Sequence, residues 1–192
     1  TAGRWRFKTK RDVPGSLTIC NPVGQREILT RVKPSDAQKT LGLMMAVDGN
    51  EHAQITKLKD SAKSWAKNVW VGYTQNDDVW FSIQSNIQKT LEYPMIVTTL
   101  PRTVWEDVMR PVLRVTLPKS GVYRNFPCKV VYGPKQFQGL GRTHPFALQV
   151  TAHIAGCLRH GGSQSLVGQF LRACLGSHQL ELGVPGGPFQ QD

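Results

Sequence analysis

Two constellations in this 192-residue chain have residue types and spacing that chemistry can use. Asp77 and Asp78 are adjacent carboxylates. Paired aspartates hold catalytic metal ions when a tight turn between apolar strands presents them. Here they follow Gln75-Asn76 and precede an apolar pattern of helical period. They therefore read as acids in a helix's first turn, where they complement its dipole. Glu106-Asp107 reads the same way. His153, Cys157 and His160 are spaced four and three apart, which puts them on one helix face, with Cys174 and His178 beyond. Tetrahedral zinc accepts such ligands, so a small zinc module is one alternative. Zinc knuckles, however, use close cysteine pairs, and the chain has no Cys-x-x-Cys. A helical cysteine beside Ile154 and Leu158 is more often a small core residue. No phosphate-binding glycine loop and no nucleophile elbow occurs. The residues thus assign no catalytic group, no metal and no cofactor to this chain. They describe a binding module; an intracellular enzyme of unrecognised class is the weakest alternative.

A third feature is defined by what is missing. After Asp107 no acidic residue occurs until Glu181. Between them stand Arg110, Arg114, Lys119, Arg124, Lys129, Lys135, Arg142, Arg159 and Arg172. Such a stretch cannot neutralise itself and carries a positive field. With a formal net charge of +11 and a sequence pI of about 9.8, the expected partner is a polyanion. No lysine-rich amphipathic helix with a lipid-facing aromatic side is evident, and no apolar run is long enough to span a bilayer, so no membrane partner is expected. The longest mildly apolar run, 146–158, is broken by Gln149, Thr151 and His153. No signal peptide is visible, and the opening Thr1-Ala2-Gly3 suggests a piece of something larger. The cysteines Cys20, Cys128, Cys157 and Cys174 lie far apart, as in a reduced intracellular protein of cytoplasm or nucleus.

The elements that must position these groups follow from period and punctuation. Residues 1–48 read as β-rich. Trp5 to Lys8 alternates apolar and basic, and Asn21-Pro22-Val23-Gly24 joins two β-prone runs as a hairpin. Thr40 to Val47 reads as one buried strand ended by Asp48-Gly49-Asn50. Residues 49–116 read as a helical bundle. Asn50 caps a helix whose face is Ile55, Leu58, Ala62, Trp65 and Val69, ending at Gly72. Lys59, Lys63 and Lys67 recur every four residues as a cationic ridge, with Lys57 beside it. A second helix starts at Asn76, buries Trp80, Ile83, Ile87 and Leu91, and precedes Pro94. A third opens on a Thr103/Glu106 capping box and should kink or restart at Pro111. Residues 117–182 begin with a Gly- and Pro-rich segment in which basic residues alternate with Tyr123, Phe126, Tyr132 and Phe137. That alternation suits phosphate contact plus base stacking, or aromatics that anchor a loop. Helices follow over about 144–159 and 163–175, separated by Gly161-Gly162. Residues 183–192 read as a flexible tail. Trp65, Trp70, Trp80 and Trp105 are expected to be mostly core. The fold class is α+β, mostly α.

The order of these motifs resembles the post-palm region, thumb and downstream, of retroelement reverse transcriptase-like reading frames of the protist and fungal type. The resemblance rests on Gly3-Arg4-Trp5-Arg6-Phe7, Lys39-Thr40-Leu41-Gly42-Leu43, Leu91-Glu92-Tyr93-Pro94-Met95, Met109-Arg110-Pro111-Val112-Leu113, Tyr132-Gly133-Pro134 and Gln138-Gly139-Leu140-Gly141. It covers about residues 4 to 187. It implies that the Leu41, Gly42, Leu43 strand lies near a primer terminus. It also implies that a catalytic Mg²⁺ belongs to a palm outside this chain. The implied partners are an RNA/DNA primer–template duplex, or RNA, and the palm and fingers of the same polyprotein. The residues expected to touch phosphates are Lys57, Lys59, Lys63 and Lys67 on one track. Arg110, Arg114, Lys119, Arg124, Lys129, Lys135 and Arg142 form another. A stand-alone basic RNA-binding or scaffolding module, without polymerase activity, is the alternative.

Overall fold

The computed structural model describes residue 8 and residues 11–183. The Trp5 strand, the Gly3 to Phe7 motif and the tail from residue 184 lie outside the described residues. The chain is α+β and mostly helical, with two small antiparallel hairpins ahead of the helices. It divides into two compact units, Thr1–Lys57 and Leu58–Asp192.

In the first unit, β1 (Thr18–Cys20) pairs with β2 (Arg26–Ile28), Thr18 opposite Ile28 and Cys20 opposite Arg26. The expected turn chemistry joins them. Asn21 Oδ1 accepts from the Val23 and Gln25 amides at 3.1 and 2.9 Å, while Gly24 supplies a positive φ of 82°. The expected buried strand over Thr40–Val47 is not formed. The run folds back on itself as β3 (Gln38–Thr40) and β4 (Leu43–Met45), with Thr40 opposite Leu43. Leu41 and Gly42 are therefore a two-residue turn, with φ of 48° and 87°, and Leu41 is 86% exposed. Two positive φ values give the turn hand that fits strand twist. Leu43 alone of the three expected strand residues is in a strand. Asn50 Oδ1 accepts from the His52 amide at 3.0 Å and starts α1 (His52–Val71) as expected. The first turns of α1 then hold the hairpin: buried Gln54 accepts from the Met44 amide at 2.8 Å, and Lys57 Nζ donates to the Gly42 carbonyl.

In the second unit, α1 buries Leu58, Ala62, Trp65 and Val69 as its spacing specified, with Ala66 beside them, while Ile55 in the first unit is only half-buried. Next, α2 (Asn76–Ser82), a π turn (Ile83–Ile87) and α3 (Gln88–Met95) follow without interruption. Their buried row is Val79, Ile83, Ile87, Leu91 and Met95, one residue in every four. An α-helix overshoots such a row by about 40° per step. The wider π turn takes that drift back and keeps the row on one face. Pro94 lies inside α3 and is buried, and the Val97 and Thr98 amides both bond its carbonyl at 3.1 Å.

The helix α4 (Arg102–Lys119) runs through Pro111 and Pro118 as one element, so the expected restart at Pro111 does not occur. Buried Trp105, Val108, Val112, Leu113 and Leu117 hold both halves in the core, which outweighs one missing amide. The expected capping box is not formed either. The helix starts after Pro101, and Glu106 instead takes the Arg102 guanidinium at 2.9 Å. A single turn, α5 (Cys128–Val131), a 3₁₀ turn (Lys135–Phe137), α6 (Pro145–Gly161) and α7 (Leu166–Leu182) complete the unit. His144 Nδ1 caps α6 by accepting from the Phe146 amide at 3.0 Å, and Ser165 caps α7. Arg172 closes the turn between them, donating to the Gly161 and Ser163 carbonyls at 2.7 and 2.9 Å.

One polar clamp sits in this core. Buried Gln149 of α6 accepts through Oε1 from Trp105 Nε1 at 2.8 Å and from the Leu100 amide at 3.2 Å. It returns its own amide to the Leu100 carbonyl at 3.1 Å. Trp65 and Trp105 are core, as expected, and Trp80 is half-buried. Trp70 is 64% exposed, a correction: it lies one residue past Val69, on the outer face of α1. Among the described residues no helix is long and apolar enough to cross a membrane.

Candidate nucleic-acid interface

Folding sorts the candidate cations into two groups. Five have partners within the protein. Lys57 bonds the Gly42 carbonyl, and Lys119 bonds the Gly72 carbonyl at 2.6 Å, closing the C-terminal end of α1. Lys59 and Arg110 share Asp107, at 3.5 and 2.9 Å. Arg142 lies over the Trp80 ring, 4.1 Å from its centroid. The others, Lys63, Lys67, Arg114, Arg124, Lys129 and Lys135, are exposed, and among the described residues none forms an ion pair.

Two contacts place the first three of these relative to one another. Lys59 meets Asp107 near the start of α1 and α4; Gly72 meets Lys119 at the end of both. Over this stretch the two helices therefore run parallel. Lys63 and Lys67 follow Lys59 at one-turn intervals, about 6 Å apart along the axis. Arg110 and Arg114 follow Asp107 three and seven residues on, also on one face. Each helix thus carries a row of cations on its exposed side, and Asp107 pairs only with the first of each, Lys59 and Arg110. Asp60 stands beside the α1 column, but among the described residues no ion pair joins it to Lys63. Beyond those pairs Lys63, Lys67 and Arg114 are exposed, and among the described residues no acid forms an ion pair with them.

Arg124, Lys129 and Lys135 lie on the segment that follows α4, which is more ordered than a loop. Its aromatics divide between the two expected roles. Phe126 and Tyr132 pack against Leu113, Leu117 and Val131, whereas Tyr123 and Phe137 are 72% and 75% exposed. Two glycines let the segment cross itself: a Cβ on Gly139 would fall 2.2 Å from the Gly133 carbonyl oxygen. Through that crossing the Leu140 and Arg142 amides bond the Val130 and Val131 carbonyls at 2.9 and 3.1 Å. This backbone pairing delivers Arg142 to Trp80 and packs Tyr132 against the His144 ring, 4.6 Å away. Burial pushes the Tyr132 phenol far above its ordinary value, helped by nearby Cys128 and Glu106. Burial lowers His144, and Arg102 lowers it further while Glu106 opposes. Burial also lowers Arg142, which stays charged at neutral pH.

The carboxylate pairs have the structural roles their positions permit. Asp77 and Asp78 are exposed in the first turn of α2, as expected. Glu106 and Asp107 are not in a first turn, a correction. They sit a turn further along α4 and pair with Arg102, Arg110 and Lys59. Among the described residues no group of three histidines, cysteines or acids is placed to hold a metal ion, and His153, Cys157 and His160 form no such cluster. Cys20, Cys128, Cys157 and Cys174 are free thiols. Sequence reasoning missed Gln149 and the Trp80–Arg142 stack. Both join residues far apart in the chain, and no local signal marks such pairs. Comparison with protein-family models, with curated proteins and with solved structures finds no match for this chain.

Proposed function

We propose that this chain grips the sugar–phosphate backbone of a nucleic acid, without reading its bases. The observation that carries the reading is the set of exposed cations Lys63 and Lys67 on α1 and Arg114 on α4, which form no ion pair among the described residues, in a protein of net charge +11. Cations one helical turn apart match contact to successive phosphates, a sequence-independent term. Arg124, Lys129 and Lys135, with exposed Tyr123 and Phe137 nearby in sequence, extend the cationic surface and offer rings on which bases can stack. Lys57, Lys59, Arg110, Lys119 and Arg142 are better assigned to holding the fold. The test is fluorescence anisotropy with RNA/DNA hybrid, single-stranded RNA and double-stranded DNA over a salt series. In the K63A/K67A/R114A variant the log–log salt slope should fall by about 2 to 3, at roughly 0.7 to 0.9 per lost contact. No binding to any of the three at moderate salt overturns the reading.

Within that reading, the chain acts as the thumb and downstream part of a reverse transcriptase, inside the cell, holding primer–template for a palm outside this chain. A β-hairpin leading into a basic helical bundle, in the motif order quoted above, supports this. Coding sequence upstream should specify an Asp-Asp hairpin; its absence there sinks the polymerase assignment and leaves the backbone-binding one standing. One observation favours a scaffolding role as a second reading. Val150, Ile154 and Leu158 of α6 and Leu166, Val167 and Phe170 of α7 are exposed apolar side chains on one helical pair. If I154D/L158D leaves nucleic-acid binding, melting temperature and sedimentation unchanged, that face gives no support to scaffolding.

A further inference from the structure

The last turn of α1 carries a tryptophan in the open. Trp70 is 64% exposed, whereas Trp65 and Trp105 are buried and Trp80 is half-buried. A large ring left in water is the informative exception to core packing. Its place on the helix is set by geometry. At 100° per residue Trp70 lies within about 20° of Lys59 and Lys63 and about 60° from Lys67. It stands about 4.5 Å beyond Lys67 along the axis and about 10.5 Å beyond Lys63. The cationic row of α1 therefore ends on an indole. Among the described residues no cation stacks on that ring; the recorded contact of this kind joins Arg142 to Trp80. Further rings gather at the same end of the helix. Tyr73, just past α1, is fully exposed. Lys119 Nζ meets the Gly72 carbonyl at 2.6 Å, and a Cβ on Gly121 would lie 3.9 Å from Asn76 Nδ2. Residues 119–121 thus adjoin 72–76, and exposed Tyr123 and Arg124 follow directly.

We propose that Trp70 is a stacking site for an unpaired nucleobase of the strand whose phosphates Lys63 and Lys67 hold. The proposal rests on the nucleic-acid reading and narrows it to single strands. Phosphate contact alone gives no use for an exposed indole, but cations followed by a ring are the two parts that single-strand binding combines. Every base has a π face, so stacking adds affinity without reading sequence. Inside a duplex those faces are already covered by neighbouring base pairs, which is why the site selects an unpaired base. A lipid surface fits less well. It would need an apolar helix side turned outward, and on α1 that side, Leu58, Ala62, Trp65 and Val69, is buried in the core.

The test uses the full chain and three fluorescent probes in anisotropy titrations. These are oligothymidylate of about 12 nucleotides, an abasic oligomer of the same length and backbone, and a blunt duplex of equal length. Trp70→Ala should weaken oligothymidylate binding about 5- to 100-fold with the log–log salt slope unchanged. Trp70→Phe, which keeps a ring, should recover most of that loss. The wild-type chain should bind the abasic oligomer about as weakly as Trp70→Ala binds oligothymidylate. On the duplex, Trp70→Ala should change affinity by less than about twofold, since phosphates carry that binding. K63A/K67A should instead lower the oligothymidylate slope by about 1.4, at roughly 0.7 per contact. Unchanged oligothymidylate affinity in Trp70→Ala overturns the stacking site while the salt slope leaves the backbone reading standing. Equal losses on oligothymidylate, abasic oligomer and duplex also overturn it, because the ring would then serve the surface and not a base. No binding of any probe overturns the site and the nucleic-acid reading together.

Discussion

Replacing Gln149 with leucine should be among the most destabilising single changes in this chain. Leucine keeps nearly the same volume and suits the helix, so packing and propensity are held close to constant. What is lost is the clamp. Trp105 Nε1, the Leu100 amide and the Leu100 carbonyl each lose their bond to Gln149, and all three belong to residues that are essentially fully buried. Leaving one buried group unsatisfied costs about 1 to 3 kcal/mol. The three groups share one side chain and do not add independently, so the total is on the order of 3 to 6 kcal/mol. Set against a whole-domain stability of about 5 to 15 kcal/mol, that is a large part. Urea unfolding read by tryptophan fluorescence measures it, because Trp105 is fully buried and sits at the clamp. With a urea slope of about 2 kcal/mol per molar, the midpoint should fall by roughly 1.5 to 3 M, with the slope unchanged. A loss below about 1 kcal/mol would refute the reasoning. Water would then be replacing the amide, and the clamp would not fix Leu100 and Trp105 to α6.

Acid should weaken the protein through His144. Burial holds its folded value below 6.5, and Nδ1 is occupied as the α6 cap acceptor. The unfolded chain therefore takes up a proton that the folded one resists. Stability is whole above about pH 6.5 and declines as pH falls from there to the folded value. Melting temperatures at pH 7.5 and 5 measure this, and His144→Asn, which keeps a cap without titrating, should flatten the difference. Leu41→Asn should raise the melting temperature by a few degrees, because asparagine adopts the positive φ that leucine holds at 48° more readily. No rise would mean that contacts made by Leu41 offset its strained backbone.

Much of the architecture was legible because its signals are local. Asn21-Pro22-Val23-Gly24 gives the first hairpin, and the three-four rhythm from Leu58 to Val69 gives the face of α1. The charge gap after Asp107 is likewise plain in the sequence. The misreadings arose where two local rules compete. Thr40 to Val47 looks like a strand because its turn is made by a leucine, which disguises Leu41-Gly42 as apolar filling. Pro111 looks like a stop, but five core side chains outweigh one absent amide. Thr103 and Glu106 have capping-box spacing, yet Pro101 begins the helix first. The candidate site was legible as a set of cations and not as a surface. Lys59 and Lys63 look equivalent in sequence, and only the fold brings Asp107 to one and not the other. Gln149 looks in sequence like an interruption of an apolar run, because its partners are more than forty residues away.

The π turn bears on how this chain tolerates gain and loss of residues. A buried row at 79, 83, 87, 91 and 95 is one residue too long, between its second and third members, for an ordinary helix. Removing exposed Ser85 would leave spacings of four, three, four and four, close to what α geometry prefers. A one-residue deletion here should thus relax the wide turn and keep every buried side chain on the core face. The same deletion in the middle of α4 would rotate half of that helix's core face by about 100°. Stability of the Ser85 deletion, compared with deletion of exposed Arg110, separates the two cases. The turn has the form of an insertion that the helix has absorbed, and it marks the place where this rod can shorten without losing its pattern.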